Sequence, residues 1–231
     1  MKSFILTLVV SGLFGPAVAD TETVSRFRLD ADTLHYDTQL DGLKKSFIHY
    51  ADIDGLRLYL QENPEISNLV LNSDGGYIGA AMEMGRVIVD FNLSTRVEKS
   101  CLSACVILLA AGHKRRVRQG ALVGLHRPYW RQASLEKYYE DHKEEESWDN
   151  VFAFSEWLHD DALLSLAEYL EFMLDQGVEP QFLLSSLRFR KMLMWYPDRD
   201  TLAAANLITP NETTVPDKET DASPHAEISM R

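Results

Sequence analysis

The sequence predicts an α/β fold, in which a sheet is covered by helices. Short segments typical of strands alternate with segments typical of helices, and each strand, turn and helix unit occupies about 20 to 30 residues. The apolar fraction, 45% of 231 residues, is large enough for a sizeable core. We therefore expect one ordered α/β domain rather than a helix bundle or a β-sandwich.

Each element follows from a local pattern. Strand patterns, recognised by alternation of apolar and polar residues or by short apolar runs between turn residues, occur at 26–36, 66–71, 93–97 and 121–125. Helix patterns, recognised by apolar residues spaced three and four apart, occur at 52–61, 77–91, 103–111, 163–174 and 180–190. The order of these elements favours a layered α/β arrangement.

Both ends of the chain differ in composition from the predicted domain. A lysine, an apolar run and Ala17-Val18-Ala19 form the pattern of a signal peptide over residues 1–19. This pattern predicts export to the periplasm, with an uncleaved anchor as the alternative. Residues 210–231 are rich in Thr, Pro, Asp, Glu and Ser, which is typical of a disordered tail. The domain is expected at 20–209, without a membrane-spanning segment after cleavage.

The charge balance argues against several classes of partner. The chain has 35 acidic and 23 basic residues, a net charge of -12, which disfavours binding to nucleic acid or to an anionic membrane surface. A segment at about 134–161 is strongly acidic and interleaved with aromatic residues, so we expect a helical arm packed on the body or on a neighbouring molecule. Two cysteines are too few for a disulfide framework or a four-thiolate zinc site, and we expect no metal and no cofactor.

Two predicted loops contain groups of the kind that take part in catalysis. Gly75 and Gly76 follow a predicted strand, where backbone N–H groups without a neighbouring Cβ suit a developing oxyanion, although a simple turn is the alternative. Ser103 stands at the start of an apolar helix, between Cys101 and Cys105. A serine in this position is either a helix cap or an exposed nucleophile.

His126 is the best candidate for a general base. It ends a predicted buried strand beside Arg127-Pro128, where a chain leaving the sheet turns a side chain towards a cleft. A structural histidine is the alternative. The other histidines lie in charged, solvent-like or tail contexts: His35, His49, His113, His142, His159 and His225.

Three motifs occur in a set order: Asn72-Ser73-Asp74-Gly75-Gly76, then Ser103 to Gly112, then Gly124-Leu125-His126-Arg127-Pro128. Together they resemble the proteolytic subunit of Clp protease and the wider crotonase-like superfamily. In that family the nucleophilic serine stands nine positions before the glycine that closes an apolar helix, as Ser103 stands before Gly112. The resemblance covers residues 66–128, and elsewhere only the order of elements. It implies a repeated ββα spiral with a helical C-terminal part.

The resemblance also implies roles for individual residues. Ser103 would be the nucleophile of an acyl transfer and His126 its base, and the N–H groups of Gly75 or Gly76 and of Ala104 would form the oxyanion hole. The substrate would be a peptide or protein, no cofactor would be needed, and a homo-oligomer would be expected.

The spacing of Cys101 and Cys105 resembles a Cys-x-Ser-Ala-Cys branch of exported Clp-like proteins. We expect a disulfide between them, with two buried free thiols as the alternative. A regular helix separates such Cβ atoms by about 5 to 6 Å, so a bridge requires an irregular turn at Ser103.

Departures from the family pattern support a rival hypothesis. Asp74 replaces a proline in the glycine loop, and the position of the third triad member falls near Arg190 instead of on an acid. Asp161, Asp175 or Asp198 could orient His126 in its place, and a bare dyad or an inactive site is equally consistent. The rival is a noncatalytic binding or assembly protein with the same fold.

Overall fold

A computed structural model describes residues 25–43, 45–190 and 193–209 of the chain. The predicted signal peptide at 1–19 and the predicted tail at 210–231 lie outside the described residues. The described part has a mixed sheet and seven helices, which confirms the α/β prediction.

The sheet contains six described strands; the first five lie in the order of the chain, and the sixth pairs with the fourth. They are β1 (Phe27–Asp30), β2 (Thr33–Asp37), β3 (Asn68–Ser73), β4 (Ser94–Leu102), β5 (Arg115–Val117) and β6 (Leu122–Gly124). Strands β1 and β2 form an antiparallel pair, and every later pairing is parallel. Strand β4 is long enough to pair with β5 along residues 95–97 and with β6 along residues 100–102.

Helices form the connections between the parallel strands, as parallel pairing requires. The described helices are α1 (Ala51–Glu62), α2 (Ile78–Asp90), α3 (Cys105–Ala111), α4 (Gln132–His142), α5 (Val151–Asp175), α6 (Pro180–Ser186) and α7 (Arg199–Ala204). Helix α2 packs against α1, α3 and α5, so these helices lie side by side. No helix among the described residues is long and apolar enough to cross a membrane.

The core lies between the sheet and this helical layer. Along β2, Leu34 and Tyr36 are fully buried, whereas His35 between them is only half-buried. Helix α3 is buried along its whole length, at the centre of the layer. The strand that leads into α3 is buried on one face, through Val97 and Cys101.

The acidic segment contains α4 and the first half of α5. Its aromatic side chains pack on one another in a cluster formed by Tyr138, Tyr139, Trp148, Phe154 and Trp157. Trp148 and Phe154 are 8% and 6% exposed, which buries them within the segment itself. The second half of α5 packs on the body through Tyr169, Phe172 and Met173. We call residues 132–161 the acidic arm.

Several element boundaries differ from the sequence predictions. The helix predicted at 103–111 begins only at Cys105, because Cys101 and Leu102 continue β4 by pairing with β6. The helix predicted at 163–174 is the end of the longer α5, and the one predicted at 180–190 ends at Ser186. Strand β5 and helix α7 were not predicted, because their local patterns are too short to stand out.

Candidate active site

Ser103 lies in the sharp turn between β4 and α3, with its side chain partly exposed. Its φ angle is +55°, a left-handed conformation that costs a residue with a Cβ about 1–2 kcal/mol. The Ser103 N–H donates to the Gly124 carbonyl (2.8 Å), and the Ser103 carbonyl accepts from the N–H of Val106 (3.0 Å). Hydrogen bonds on both sides of the turn therefore hold this backbone geometry.

A disulfide joins the two sides of the same turn. Cys101 lies in β4 and Cys105 is the first residue of α3; their Cα atoms are 5.2 Å apart, and both side chains are fully buried. A bridge between these cysteines requires an irregular turn at Ser103. The turn is irregular because Cys101 belongs to a strand and not to the helix that contains Cys105. The structure therefore agrees with the expected disulfide between Cys101 and Cys105. Disulfides are typical of proteins outside the cytoplasm.

The glycine loop packs directly against Ser103. Gly75 has a φ of +97°, and a Cβ placed on it would lie 2.7 Å from the Ser103 Cβ and 3.0 Å from the Ala104 nitrogen. The loop is held from its other side by Ile48, whose N–H donates to the Gly75 carbonyl (2.8 Å) and whose carbonyl accepts from the Tyr77 N–H (3.1 Å). Only glycine fits at position 75, because any side chain would displace the turn.

The backbone N–H groups at the site differ in whether they already have a hydrogen-bond acceptor. The Gly75 N–H donates to the buried Ser73 hydroxyl (3.1 Å), which also accepts from the Thr38 hydroxyl (2.8 Å). Within the described residues, the N–H groups of Gly76 and Ala104 have no acceptor. Of the three predicted oxyanion donors, Gly76 and Ala104 therefore keep a free N–H, whereas the Gly75 N–H is already engaged.

A buried ionic network supports the segment that holds the glycine loop. Asp52, at the start of α1, is 5% exposed and accepts from Arg26, from the Tyr36 hydroxyl (2.7 Å) and from the His49 N–H (2.8 Å). Because His49 follows Ile48, this network anchors the contact described above. No sequence pattern distinguishes Asp52, since an aspartate in the first turn of a helix is ordinary.

His126 lies two residues after the end of β6 and is half-buried. The bond between the Ser103 N–H and the Gly124 carbonyl brings its segment beside the serine. His126 Nδ1 lies 2.8 Å from the Arg127 carbonyl oxygen, and the His126 and Tyr129 ring centroids are 5.3 Å apart. In the described part of the chain, no hydrogen bond joins the Ser103 hydroxyl to His126. The structure thus brings the two segments together, but no hydrogen bond joins the two side chains in the described residues.

The segment predicted to occupy the place of the third triad member does lie beside His126. The Arg127 N–H donates to the Phe189 carbonyl (2.9 Å), and Arg188 and Arg190 flank Phe189. None of the described carboxylates forms an ion pair with His126. This end of the site is therefore basic instead of acidic.

None of the three aspartates that could replace the missing triad acid is bonded to His126 in the described residues. Asp198 caps α7 by accepting from the Thr201 N–H (2.8 Å), and hydrogen bonds with Thr201 lower the pKa of its carboxyl group. Asp161 and Asp175 lie on α5, and in the described residues neither forms a hydrogen bond or an ion pair with His126. The Asp74 side chain is exposed. Among the described residues, no group of three or more His, Cys, Asp or Glu side chains could hold a metal ion.

Comparison with known proteins does not assign the chain to a family. No family model matches the sequence, and no curated protein matches it.

Proposed function

We propose that this protein is a periplasmic serine hydrolase of the crotonase-like, Clp protease-like type, acting on peptide bonds. The observation that carries the proposal is the left-handed backbone of Ser103, at a turn between strand and helix that a disulfide closes and a glycine loop contacts. Strained backbone of this kind is concentrated at functional sites, and such a turn lifts a serine oxygen clear of its neighbours.

In the proposed reaction the Ser103 hydroxyl oxygen attacks the substrate carbonyl, and His126 Nε2 takes the hydroxyl proton. The N–H groups of Gly76 and Ala104 bind the oxyanion. His126 then gives the proton to the leaving amine, and a water molecule hydrolyses the acyl-enzyme by the reverse sequence. Side-chain rotation on substrate binding would close the gap between Ser103 and His126, since catalytic hydrogen bonds often tighten only in the complex.

The Arg127 carbonyl would take over part of the role of the missing acid. If His126 Nδ1–H donates to this carbonyl at 2.8 Å, the ring is held in the tautomer whose Nε2 is free to accept a proton. A carbonyl orients the ring but carries no full charge to stabilise the imidazolium. We therefore expect slower catalysis than that of a triad with a carboxylate.

Covalent labelling tests this function. The mature protein, residues 20–231, is expected to react with a serine-directed fluorophosphonate, and Ser103→Ala is expected to abolish the labelling. Ser100→Ala is the matched control, because Ser100 lies on β4 three residues before Ser103 and its hydroxyl donates to the Asn72 side-chain oxygen (3.2 Å). Protein that is folded by circular dichroism but shows neither labelling nor peptide hydrolysis would rule out the proposal.

A noncatalytic binding or assembly protein is the second candidate. It is supported by the lack of a hydrogen bond between Ser103 and His126 in the described residues, and by exposed apolar side chains on α5, where Phe152 is 86% and Leu164 62% exposed. A homo-oligomer or another protein could cover these side chains. This candidate gains support if Ser103→Ala keeps the biological effect of the protein while Phe152→Ser abolishes it. Phe152 is a better probe than the buried Trp148, whose loss would disrupt the aromatic cluster.

A further inference from the structure

Three exposed arginines lie at the His126 end of the site, in a chain whose net charge is -12. They are Arg127, Arg188 and Arg190. Arg127 follows His126 directly, and the other two flank Phe189, whose carbonyl accepts from the Arg127 N–H. This single hydrogen bond of 2.9 Å places the backbone of Phe189 beside that of Arg127, so the backbones that carry the three arginines lie next to the residue that follows His126.

The segment that carries Arg188 and Arg190 is fixed in place by packing. The Phe189 ring stacks on Trp195 with centroids 5.3 Å apart and planes 3° from parallel. Trp195 in turn exchanges two backbone hydrogen bonds of 2.8 Å with Leu125, the residue before His126. The arginines are therefore attached to an ordered backbone on the same side as the predicted base.

These three guanidinium groups do not take part in holding the fold together. None of them forms an ion pair or a side-chain hydrogen bond with another described residue. Other arginines do, as shown by Arg26 with Asp52 and by Arg115, which donates to three backbone carbonyls. Neighbouring like charges without partners repel one another, so a ligand with negative charge would relieve the repulsion.

We infer that Arg127, Arg188 and Arg190 select acidic peptides, by binding Asp or Glu side chains next to the bond that Ser103 would cleave. This inference rests on the proposed function and adds its substrate class. Guanidinium groups bind carboxylates through paired, charge-assisted hydrogen bonds, which makes arginine better suited than lysine for this recognition. The exposed Tyr196 adds apolar surface here, because its ring lies beside Gly124, two residues before His126.

The test compares fluorogenic peptides that differ only by Glu or Gln beside the cleaved bond. For the mature protein we expect kcat/KM to be about tenfold higher with Glu, the effect of one charge-assisted hydrogen bond. The preference should weaken as NaCl is raised, because both partners are exposed. In Arg188→Gln/Arg190→Gln the ratio should fall towards one. The matched control Arg28→Gln/Arg57→Gln removes two exposed charges far from His126 and should keep the ratio.

Each outcome separates this inference from the proposed function. Hydrolysis without a Glu preference, or a preference that survives Arg188→Gln/Arg190→Gln, overturns the inference. The proposed hydrolase function is not contradicted by either result. If no peptide is hydrolysed, fluorescence anisotropy with the same Glu and Gln peptides still tests recognition: arginine-dependent binding of the Glu peptide supports it, and equal binding overturns it. Tighter binding of a single-stranded oligonucleotide through the same arginines would also overturn it.

Discussion

At the scale of single residues, the candidate site depends on one close approach between Gly75 and Ser103. A methyl group on Gly75 would meet the Ser103 Cβ and the Leu102 carbonyl oxygen at 2.7 Å, and it would also be held at a φ of +97°. The contact joins residues 28 positions apart in the chain. The glycine loop and the turn at Ser103 therefore hold each other in position.

We therefore predict that Gly75→Ala destabilises the protein by about 2–4 kcal/mol, the sum of backbone strain and steric displacement. Urea unfolding measures this loss. Gly120→Ala is the matched control, since Gly120 also has a left-handed φ of +83° but a Cβ there would meet nothing within 4 Å. Its cost should be only the strain, about 1–2 kcal/mol. Equal costs for the two variants would show that the contact with Ser103 is not tight.

At the scale of elements, the turn from β4 to α3 is closed by the disulfide and by hydrogen bonds to β6. The bridge encloses only the five residues from Cys101 to Cys105, so it restricts the unfolded chain less than a long loop would. The bridge nevertheless spans the turn in which Ser103 has a left-handed backbone, with a φ of +55°. We expect its main effect to be on the turn that presents Ser103.

Cys101→Ala/Cys105→Ala should lower the free energy of unfolding by about 2 kcal/mol, the entropy of closing a loop of this length. The measurement is urea unfolding of both proteins with and without dithiothreitol. The double variant should be insensitive to the reductant, and the reduced wild-type protein should approach it in stability. If the variant matches the oxidised wild type in stability, the bridge contributes nothing to the fold.

At the scale of the whole molecule, α5 links the acidic arm to the body, and Tyr169 is part of the contact that docks it. Burial raises the pKa of Tyr169 to about 12, and the Ser186 hydroxyl offsets a little of this effect. Burial and the Asp52 carboxylate also raise the pKa of Tyr36. Unfolded tyrosine loses its proton near pH 10, so between these values only the unfolded state is ionised at Tyr169.

The free energy of unfolding should therefore fall above pH 10, by about 1.4 kcal/mol per pH unit for Tyr169, until the folded group also ionises near pH 12. Tyr169→Phe should remove this part of the pH dependence without changing the titration of other groups. Urea unfolding of both proteins at pH 8, 10 and 11 measures the difference. Parallel pH profiles for the two proteins would contradict the assignment to Tyr169.

The elements that the sequence predicted well are those with strong local patterns. The helix expected at 77–91 is α2 over Ile78–Asp90, and the helix expected at 52–61 is α1 over Ala51–Glu62. The start of α3 was misplaced because strand pairing with β6, a contact between distant residues, holds Cys101 and Leu102 in β4. Local periodicity contains no information about such a pairing.

The sequence alone predicts the α/β layering, because helix and strand periods depend on near neighbours, and it makes Cys101 and Cys105 candidates for a bridge. The bridge itself depends on the irregular turn at Ser103, which places one cysteine on β4 and the other on α3. Only the tertiary structure decided the left-handed backbone of Ser103, the occupation of the Gly75 N–H and the place of Arg188 and Arg190 beside His126. Each of these depends on contacts made when distant segments pack together, with Gly124, with Ser73 and Thr38, and with Arg127. Packing therefore decided which predicted groups form the candidate site and gave that site its basic side.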